Sequence, residues 1–211
     1  MPKFKVPEVV VERLSIYLRA LKKLSDEHVL SSQELAELVG TTDVQVRKDL
    51  AYFGEFGIPG QGYCVGKLKK EITHILALDR SWGLALVGVG KLGAALLAYP
   101  GLKRKEFQIK AVFDNDPEKI GKKIEGLTIR AVEEICEVLP RYKIKIGIIT
   151  TPAEAAQEIA NRLVQAGVEG ILNFAPVHIT VPNKVKLKNV DLSMELEILS
   201  YFLSKEIRKE R

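Results

Sequence analysis

Leu84-Ala85-Leu86-Val87-Gly88-Val89-Gly90-Lys91-Leu92-Gly93 is the stretch on which the fold turns. Its first four residues form an apolar run without helical gaps, the mark of a buried strand, and three glycines follow at once. From Leu92 to Ala98 the pattern becomes helical, and a second apolar run, Ile109-Lys110-Ala111-Val112-Phe113, stops at Asp114. Strand, glycine turn, helix and strand open a parallel α/β unit. The glycine spacing alone carries little weight. Here it leaves a strand, opens a helix and precedes an acidic residue, Asp114, by 21 positions counted from Gly93, which is the setting of a dinucleotide site. Gly88 allows the tight turn, Gly90 lets the backbone approach a pyrophosphate, and Gly93 lets helix and strand pack closely. Free N–H groups at the helix start face the phosphates. A carboxylate at Asp114 can accept both ribose hydroxyls of an adenosine and repels a 2′-phosphate, which favours NAD over NADP.

The same grammar continues downstream. Val132 to Leu139 reads as a helix, Ile144 to Thr150 as a strand, Ala153 to Ala166 as a helix opened by Pro152 and closed by Gly167, and Gly170 to Phe174 as a strand. Upstream of Ser81 the period differs. Val10, Leu14, Tyr17, Leu21 and Leu24 share one face of a helix over Val9 to Leu24. Ser31 with Glu34 makes a capping box for a second helix, which Gly40 ends, and Thr42 with Gln45 makes another for a third. Val46, Leu50 and Phe53 line one face of that third helix. A short helix, a Gly-containing turn and a second capped helix make a helix-turn-helix. The following Phe56-Gly57-Ile58-Pro59-Gly60-Gln61-Gly62-Tyr63 is a tight ribbon tip leading into a short strand over Tyr63 to Val65, as a wing requires. A last helix starts by Leu68 and ends near Arg80.

The chain has 211 residues, 46% of them hydrophobic and 28% charged, which excludes a disordered or collagen-like polymer. Its longest apolar stretches, such as Trp82 to Gly90, are about half of a bilayer span, and no basic-then-apolar leader opens the sequence. Cys64 and Cys136 stand 72 residues apart without a neighbouring histidine or second cysteine. The expectation is a cytoplasmic chain with no metal and no membrane partner. The net charge of +5 divides into +1 over residues 1–80 (12 Lys/Arg against 11 Asp/Glu) and +4 over residues 81–211 (20 against 16). A balance this mild tolerates an anionic partner without selecting one.

In the third helix Val46 and Leu50 face inward, leaving Gln45, Arg47 and Lys48 at the surface. Gln can pair with adenine, and Arg or Lys with guanine; any of them can instead hold phosphate. Lys3, Lys5, Lys67, Lys69 and Lys70 are further candidates for phosphate, and each could equally be a solvated surface lysine. Leu192, Leu196, Leu199, Leu203 and Ile207, widened by Ile198 and Phe202, give the C-terminal helix a stripe that must be buried. It can dock on its own sheet or on a second subunit. His28, His74 and His178 belong to no recognisable relay, and no acid/base pair stands out, so the expectation is a binding protein rather than an enzyme. The alternatives are an NAD-dependent oxidoreductase, a coenzyme A-binding domain, and a regulator sensing another nucleotide.

Gln45-Val46-Arg47-Lys48-Asp49-Leu50, Tyr52-Phe53-Gly54-Glu55-Phe56-Gly57, the Gly60-x-Gly62-Tyr63 tip, Gly88-Val89-Gly90-Lys91-Leu92-Gly93, Phe113-Asp114-x-Asp116-Pro117 and Asn173-Phe174-Ala175-Pro176 together resemble the Rex family of redox-sensing transcriptional repressors. The resemblance spans essentially the whole chain. It implies a winged-helix DNA-binding domain over 1–80, a Rossmann NAD(H)-binding domain over 81–190 and a dimerisation helix over 191–211 exchanged between subunits. It also implies a homodimer on an inverted-repeat DNA operator, released by NADH and so responsive to the NADH/NAD⁺ ratio. The DNA-binding set implied is Gln45, Arg47, Lys48, Tyr52, Gly60, Gly62 and Tyr63, with Arg47 and Lys48 in the major groove and Gly62 and Tyr63 in the minor groove. The cofactor set implied is Gly88, Gly90, Lys91, Leu92, Gly93, Tyr99, Asp114, Thr150, Pro152, Asn173 and Phe174. Tyr99 resembles a tyrosine near the nicotinamide, and Arg19 and Asp191 a pair whose contact across subunits changes with redox state. Lys91 stands where many members have Asn, and Leu192 where an aromatic is common.

Overall fold

A computed structural model of the chain describes residues 6–58 and 60–209, with the side chains of the last helix described as far as Lys205. Lys3, Lys5 and the side chain of Ile207 lie outside the described residues. The chain divides into two compact units between Arg80 and Ser81.

In the first unit, α1 (Glu8–Leu21) buries Val10, Leu14, Tyr17, Leu18 and Leu21. It stops a turn short of Leu24, which still packs on the same core. After β1 (Val29–Leu30), helix α2 (Ser32–Val39) carries the full capping box. The Ser31 hydroxyl accepts from the Glu34 N–H at 3.1 Å, and the Glu34 carboxylate accepts from the Ser31 N–H at 2.6 Å. Helix α3 (Asp43–Ala51) has half a box. Thr42 Oγ1 accepts from the Gln45 N–H at 3.2 Å, but the Gln45 amide turns to Asp49 instead of back to the cap. The strand after the ribbon, β2 (Tyr63–Cys64), is shorter than expected because Val65 already begins α4 (Val65–Ile75). It pairs antiparallel with β1, and the tip itself is closed by a bridge between Ile58 and Gly62. Gly62 passes so close to β1 that a Cβ there would stand 2.5 Å from the Leu30 carbonyl oxygen, so only glycine allows this approach. Leu14, Tyr17, Leu35, Val46, Leu50, Val65, Leu68 and Ile72 share one core. The fold is a helix-turn-helix with a small ribbon behind it.

The second unit is a seven-stranded sheet. Along the chain lie β3 (Trp82–Val87), α5 (Lys91–Ala98), β4 (Phe107–Asp114), β5 (Lys123–Ile124), β6 (Leu127–Ala131), α6 (Ile135–Arg141), β7 (Ile146–Ile149), α7 (Ala153–Gln165), β8 (Gly170–Asn173) and β9 (Lys186–Asn189). The sheet order is β5-β6-β4-β3-β7-β8-β9, parallel except for the β5–β6 pair. The expected helix from Val132 starts as a 3-10 turn, Val132–Glu134, before α6 proper. Strands β5, β6 and β9 are not among the strands expected from the sequence; Lys186-Leu187-Lys188-Asn189 is an edge strand with only Leu187 half-buried. Alternate residues of β3 serve opposite layers. Ala85 and Val87 pack with α6 and α7, while Leu84 and Leu86 pack with Leu97 of α5, as the two-residue period requires. A strand covered on both faces is apolar throughout.

The last helix, α8 (Leu192–Lys209), resolves one open question. Every side chain from Leu192 to Ser200 is exposed, and so are Tyr201, Phe202 and Leu203. Over its described side chains the helix therefore does not bury its apolar stripe on its own sheet. No described helix is long and apolar enough to cross a membrane. Among the described residues no group of three or more His, Cys, Asp or Glu is placed to hold a metal ion.

Candidate functional site

In an open parallel sheet, ligands lie beyond the carboxyl ends of the strands where the strand order reverses. Here the order runs from β3 outward to β4 on one side and to β7 on the other. A cleft of about 610 Å³ lies at that point, lined by Gly88, Gly90, Asp114, Thr150, Thr151 and Pro152 among others. Gly88 turns with φ +100°, and a Cβ there would meet the Thr150 carbonyl at 2.8 Å; at Gly93 it would stand 2.0 Å from the Gly88 oxygen. A Cβ at Gly90 would meet nothing within 4 Å. The turn is thus packed from behind and open in front. Thr150 Oγ1 donates toward the Val87 and Gly88 carbonyls at 3.1 and 2.7 Å. Helix α5 begins with no side-chain cap and no acidic residue in its first turn, leaving an N-terminus suited to phosphate oxygens.

Asp114 is buried, and both of its oxygens are engaged. Oδ2 accepts from the Val89 N–H at 2.6 Å and from Lys119 Nζ at 3.2 Å, and Oδ1 accepts from the Asp116 N–H at 2.9 Å. Burial opposes its ionisation, but these donors outweigh burial and hold its carboxyl below the usual range. Two acceptor sites per oxygen leave one, on Oδ1, for a ligand. The expectation that Asp114 takes both ribose hydroxyls is narrowed accordingly, and its bond to Val89 ties β4 to the glycine turn. Lys119 was not singled out in the sequence, although it stands only five residues beyond Asp114. Asp114 is not the only acid in the cleft. The cleft lining carries Asp114, Asp116, Glu133, Glu154 and Glu158 against Lys119 and Arg162, five acids to two bases, a field hostile to an additional phosphate.

The other expected cofactor residues are dispersed. Lys91 and Leu92 stand exposed on the first turn of α5, and Tyr99 is exposed at its end. Asn173 is buried with its amide engaged by its own loop. Nδ2 donates toward the Ala175 and Val177 carbonyls and Asn189 Oδ1, and Oδ1 accepts from the Ala175 N–H. It is a strand-end anchor here, and Phe174 packs in the core on the α5 side of the sheet. Asp191 Oδ1 accepts from the Ser193 N–H at 2.9 Å, capping α8. Arg19 is exposed on α1 in the other unit.

In the first unit a groove of about 620 Å³ runs between α3 and the ribbon, lined by Ser32, Arg47, Gly60, Gly62 and Tyr63 among others. Arg47 Nη1 lies 2.7 Å from Asp43 Oδ2 and donates to Ser32 Oγ at 2.8 Å. Lys48 is exposed, Gln45 and Tyr63 are half-buried, and Tyr52 closes α3. Burial pushes the Tyr63 hydroxyl pKa up. Lys67 and Lys70 face solvent. Lys69 does not: its ammonium donates to the Leu24 carbonyl and to Asp26, both at 2.7 Å. The expectation of a phosphate contact at Lys69 is corrected, because that charge closes the α1–β1 loop.

Comparison with known proteins settles the family. The chain is 47% identical over 203 residues to the redox-sensing transcriptional repressor Rex of Syntrophobacter fumaroxidans, covering 95% of this chain and 97% of that protein. It is 48% identical over 199 residues to the Rex of Thermus thermophilus, covering 93% of each. The chain belongs to the Rex family. This family is one of transcriptional repressors, not of enzymes, which removes the oxidoreductase alternative. Among solved structures, RSP, a Rex-family repressor, in complex with β-NAD⁺ and operator DNA matches with a TM-score of 0.92 and 40% identity, covering 99% of this chain and 97% of that one. RSP in complex with β-NADH matches at 0.86 and 38%, covering 99% and 100%. A CoA binding domain family model matches residues 79–177, and a model of a DNA-binding protein N-terminus matches residues 5–51. The Rex architecture of helix-turn-helix, parallel sheet and C-terminal helix is the one described above.

Proposed function

We propose that this Rex-family chain is a cytoplasmic homodimeric repressor that binds an inverted-repeat operator and releases it on binding NADH. The observation that carries the reading is the presence in one chain of two built sites. One is the α3–ribbon groove; the other is the strand-end cleft with its uncapped helix start. RSP, similar over the full length, binds NAD⁺ with operator DNA and also binds NADH. The dinucleotide fits the cleft. Gly90 leaves room for a pyrophosphate, Asp114 retains one acceptor for a ribose hydroxyl, and buried Thr151 Oγ1 lacks a protein partner. The net acidic lining supports NAD(H) over NADP(H), and over coenzyme A with its extra phosphate. Arg47 and Lys48 serve the major groove, with Gln45 beside them. The ribbon residues Gly62 and Tyr63 serve the minor groove, and Gly60 and Tyr52 complete the DNA-binding set.

NADH and NAD⁺ differ at the nicotinamide, where the oxidised ring is positively charged and the reduced ring neutral. A ligand shifts a dimer between two forms only by contacts that differ between them. The switch residues are Arg19, Tyr99 and Asp191, with an Arg19–Asp191 contact between subunits in the DNA-binding form and Tyr99 taking over the aspartate when NADH binds. The test is an operator titration at fixed salt over a range of NADH/NAD⁺ ratios. Wild type loses operator affinity by roughly 5–150-fold as the ratio rises, and Asp191→Ala flattens that response while still binding NADH. A wild-type chain indifferent to the ratio overturns the reading.

A further inference from the structure

We propose that Asp49 is a positioning residue for operator readout, acting through Gln45; the inference rests on the functional reading above. Asp49 is fully buried on α3, yet it is charged and in the middle of the helix that faces the groove. Four donors converge on it. Oδ2 accepts from Arg13 Nε at 2.5 Å and from the Tyr17 hydroxyl at 2.7 Å; Oδ1 accepts from Arg13 Nη2 and from Gln45 Nε2, each at 2.7 Å. Two donors on each oxygen fill every acceptor site of a carboxylate, so Asp49 has nothing left to offer a ligand. It can act only through its partners.

Arg13 and Tyr17 belong to α1, so the carboxylate ties the reading helix to the helix behind it. The fourth partner is different. Gln45 is half-buried and one turn ahead of Asp49 on α3, two positions before the groove residue Arg47, so part of its side chain reaches solvent on the reading helix. A carboxylate only accepts, and the end of the Gln45 side chain that faces it must therefore be the NH2 group. That fixes which way round the amide sits. In the proposed arrangement Asp49 takes the amide hydrogen trans to Oε1, leaving the cis hydrogen beside Oε1 as the donor–acceptor pair that matches N7 and N6 of adenine. An unheld glutamine would sample both flips and many rotamers, and would lose that freedom on binding. Asp49 sets the amide in advance. A burial this complete is commonly structural, but Arg13 and Tyr17 already satisfy three of the four acceptor sites. The fourth goes to a side chain at the readout surface.

The experiment uses the full-length chain and a duplex that the wild-type protein selects from a random library. Each adenine in turn is replaced by 7-deazaadenine, which still pairs but lacks the N7 acceptor. Wild type loses about five- to tenfold at one position per half-site, the worth of one unmade hydrogen bond, and Gln45→Ala abolishes that loss. Asp49→Asn reduces it below about twofold, because a carboxamide no longer dictates the flip of its neighbour. Tyr17→Phe keeps the full loss while lowering the melting temperature, which separates positioning from support of the fold. Retention of the full position-specific loss in a folded Asp49→Asn protein overturns the proposal, as does a Gln45→Ala protein that abolishes no position. Failure of wild type to select any duplex instead overturns the functional reading. Should Asp49→Asn not fold, nitrogen relaxation of the Gln45 side-chain amide in free wild-type protein decides the matter. The proposal expects an ordered amide, and one as mobile as that of Gln61 on the exposed ribbon overturns it.

Discussion

Removing residues 192–211 should convert the protein from dimer to folded monomer. Leu192, Leu196, Leu199, Phe202 and Leu203 are exposed by 65, 67, 57, 59 and 60% in the single chain. Full burial of such a side chain contributes roughly 1.5–3 kcal/mol, so covering the exposed three-fifths contributes about 1–2 kcal/mol for each. Five such residues on each of two helices give a gross stabilisation on the order of 10 kcal/mol or more. Association itself costs an estimated 4–15 kcal/mol, so this helix decides whether a dimer exists. Ordering and desolvation offset part of that gross figure, so at about 1.4 kcal/mol per decade its loss raises the dimer dissociation constant by at least about three orders of magnitude. The remaining fold should survive, because every described side chain of the helix, Leu192 to Lys205, is exposed and none belongs to the cores of its unit. Sedimentation velocity at about 10 µM tests this, with circular dichroism melts to check folding. A truncated chain that sediments as full-length dimer refutes the reasoning, and so does full-length protein that sediments as a monomer.

Gly93→Ala places a methyl group 2.0 Å from the Gly88 oxygen. It should destabilise the second unit by about 1–3 kcal/mol and abolish NADH binding, read by calorimetry, while unit 1 still binds random DNA. Glu133→Gln with Glu154→Gln lowers the negative charge of the cleft and should narrow the preference for NADH over NADPH, with little effect on melting temperature; unchanged selectivity would place discrimination elsewhere. Arg47→Ala should cost about 1–3 kcal/mol on the selected operator and much less on random duplex, whereas Lys70→Ala should weaken both alike; equal losses for Arg47→Ala would make it a phosphate contact. Asp49 and Asp114 have carboxyls held below the ordinary value of 3.8 by their donors, despite burial. Each contributes stability that is fully present above that value and is lost as pH falls through its lower folded pKa. Acid melts should therefore show both units weakening below about pH 4, and Asp49→Asn should flatten that dependence in unit 1 only.

Local chemistry was legible in the sequence wherever a feature needs only neighbours along the chain. The Ser31–Glu34 box, the strand–glycine–helix opening at Gly88 and the apolar period of α1 all arise within one or two turns, so residue order alone determines them. Gly62 belongs to this class in part. Its turn was readable, but the reason for it, the Leu30 carbonyl, lies on another strand. What the tertiary structure decided involves groups distant in sequence. Lys69 reads as a surface lysine until the loop carrying Leu24 and Asp26 closes on it. Asn173 has a further role that the sequence does not show, its amide holding the loop to Val177 and the edge strand at Asn189. Asp114 reads as a free ribose acceptor until Val89, Asp116 and Lys119 fill most of its acceptor sites. Asp49 reads as an ordinary helix residue until α1 brings Arg13 and Tyr17 against it across more than 30 positions. A one-dimensional pattern records which side is apolar. It does not record which donor satisfies a given buried acceptor, because that pairing is made only when separate elements pack.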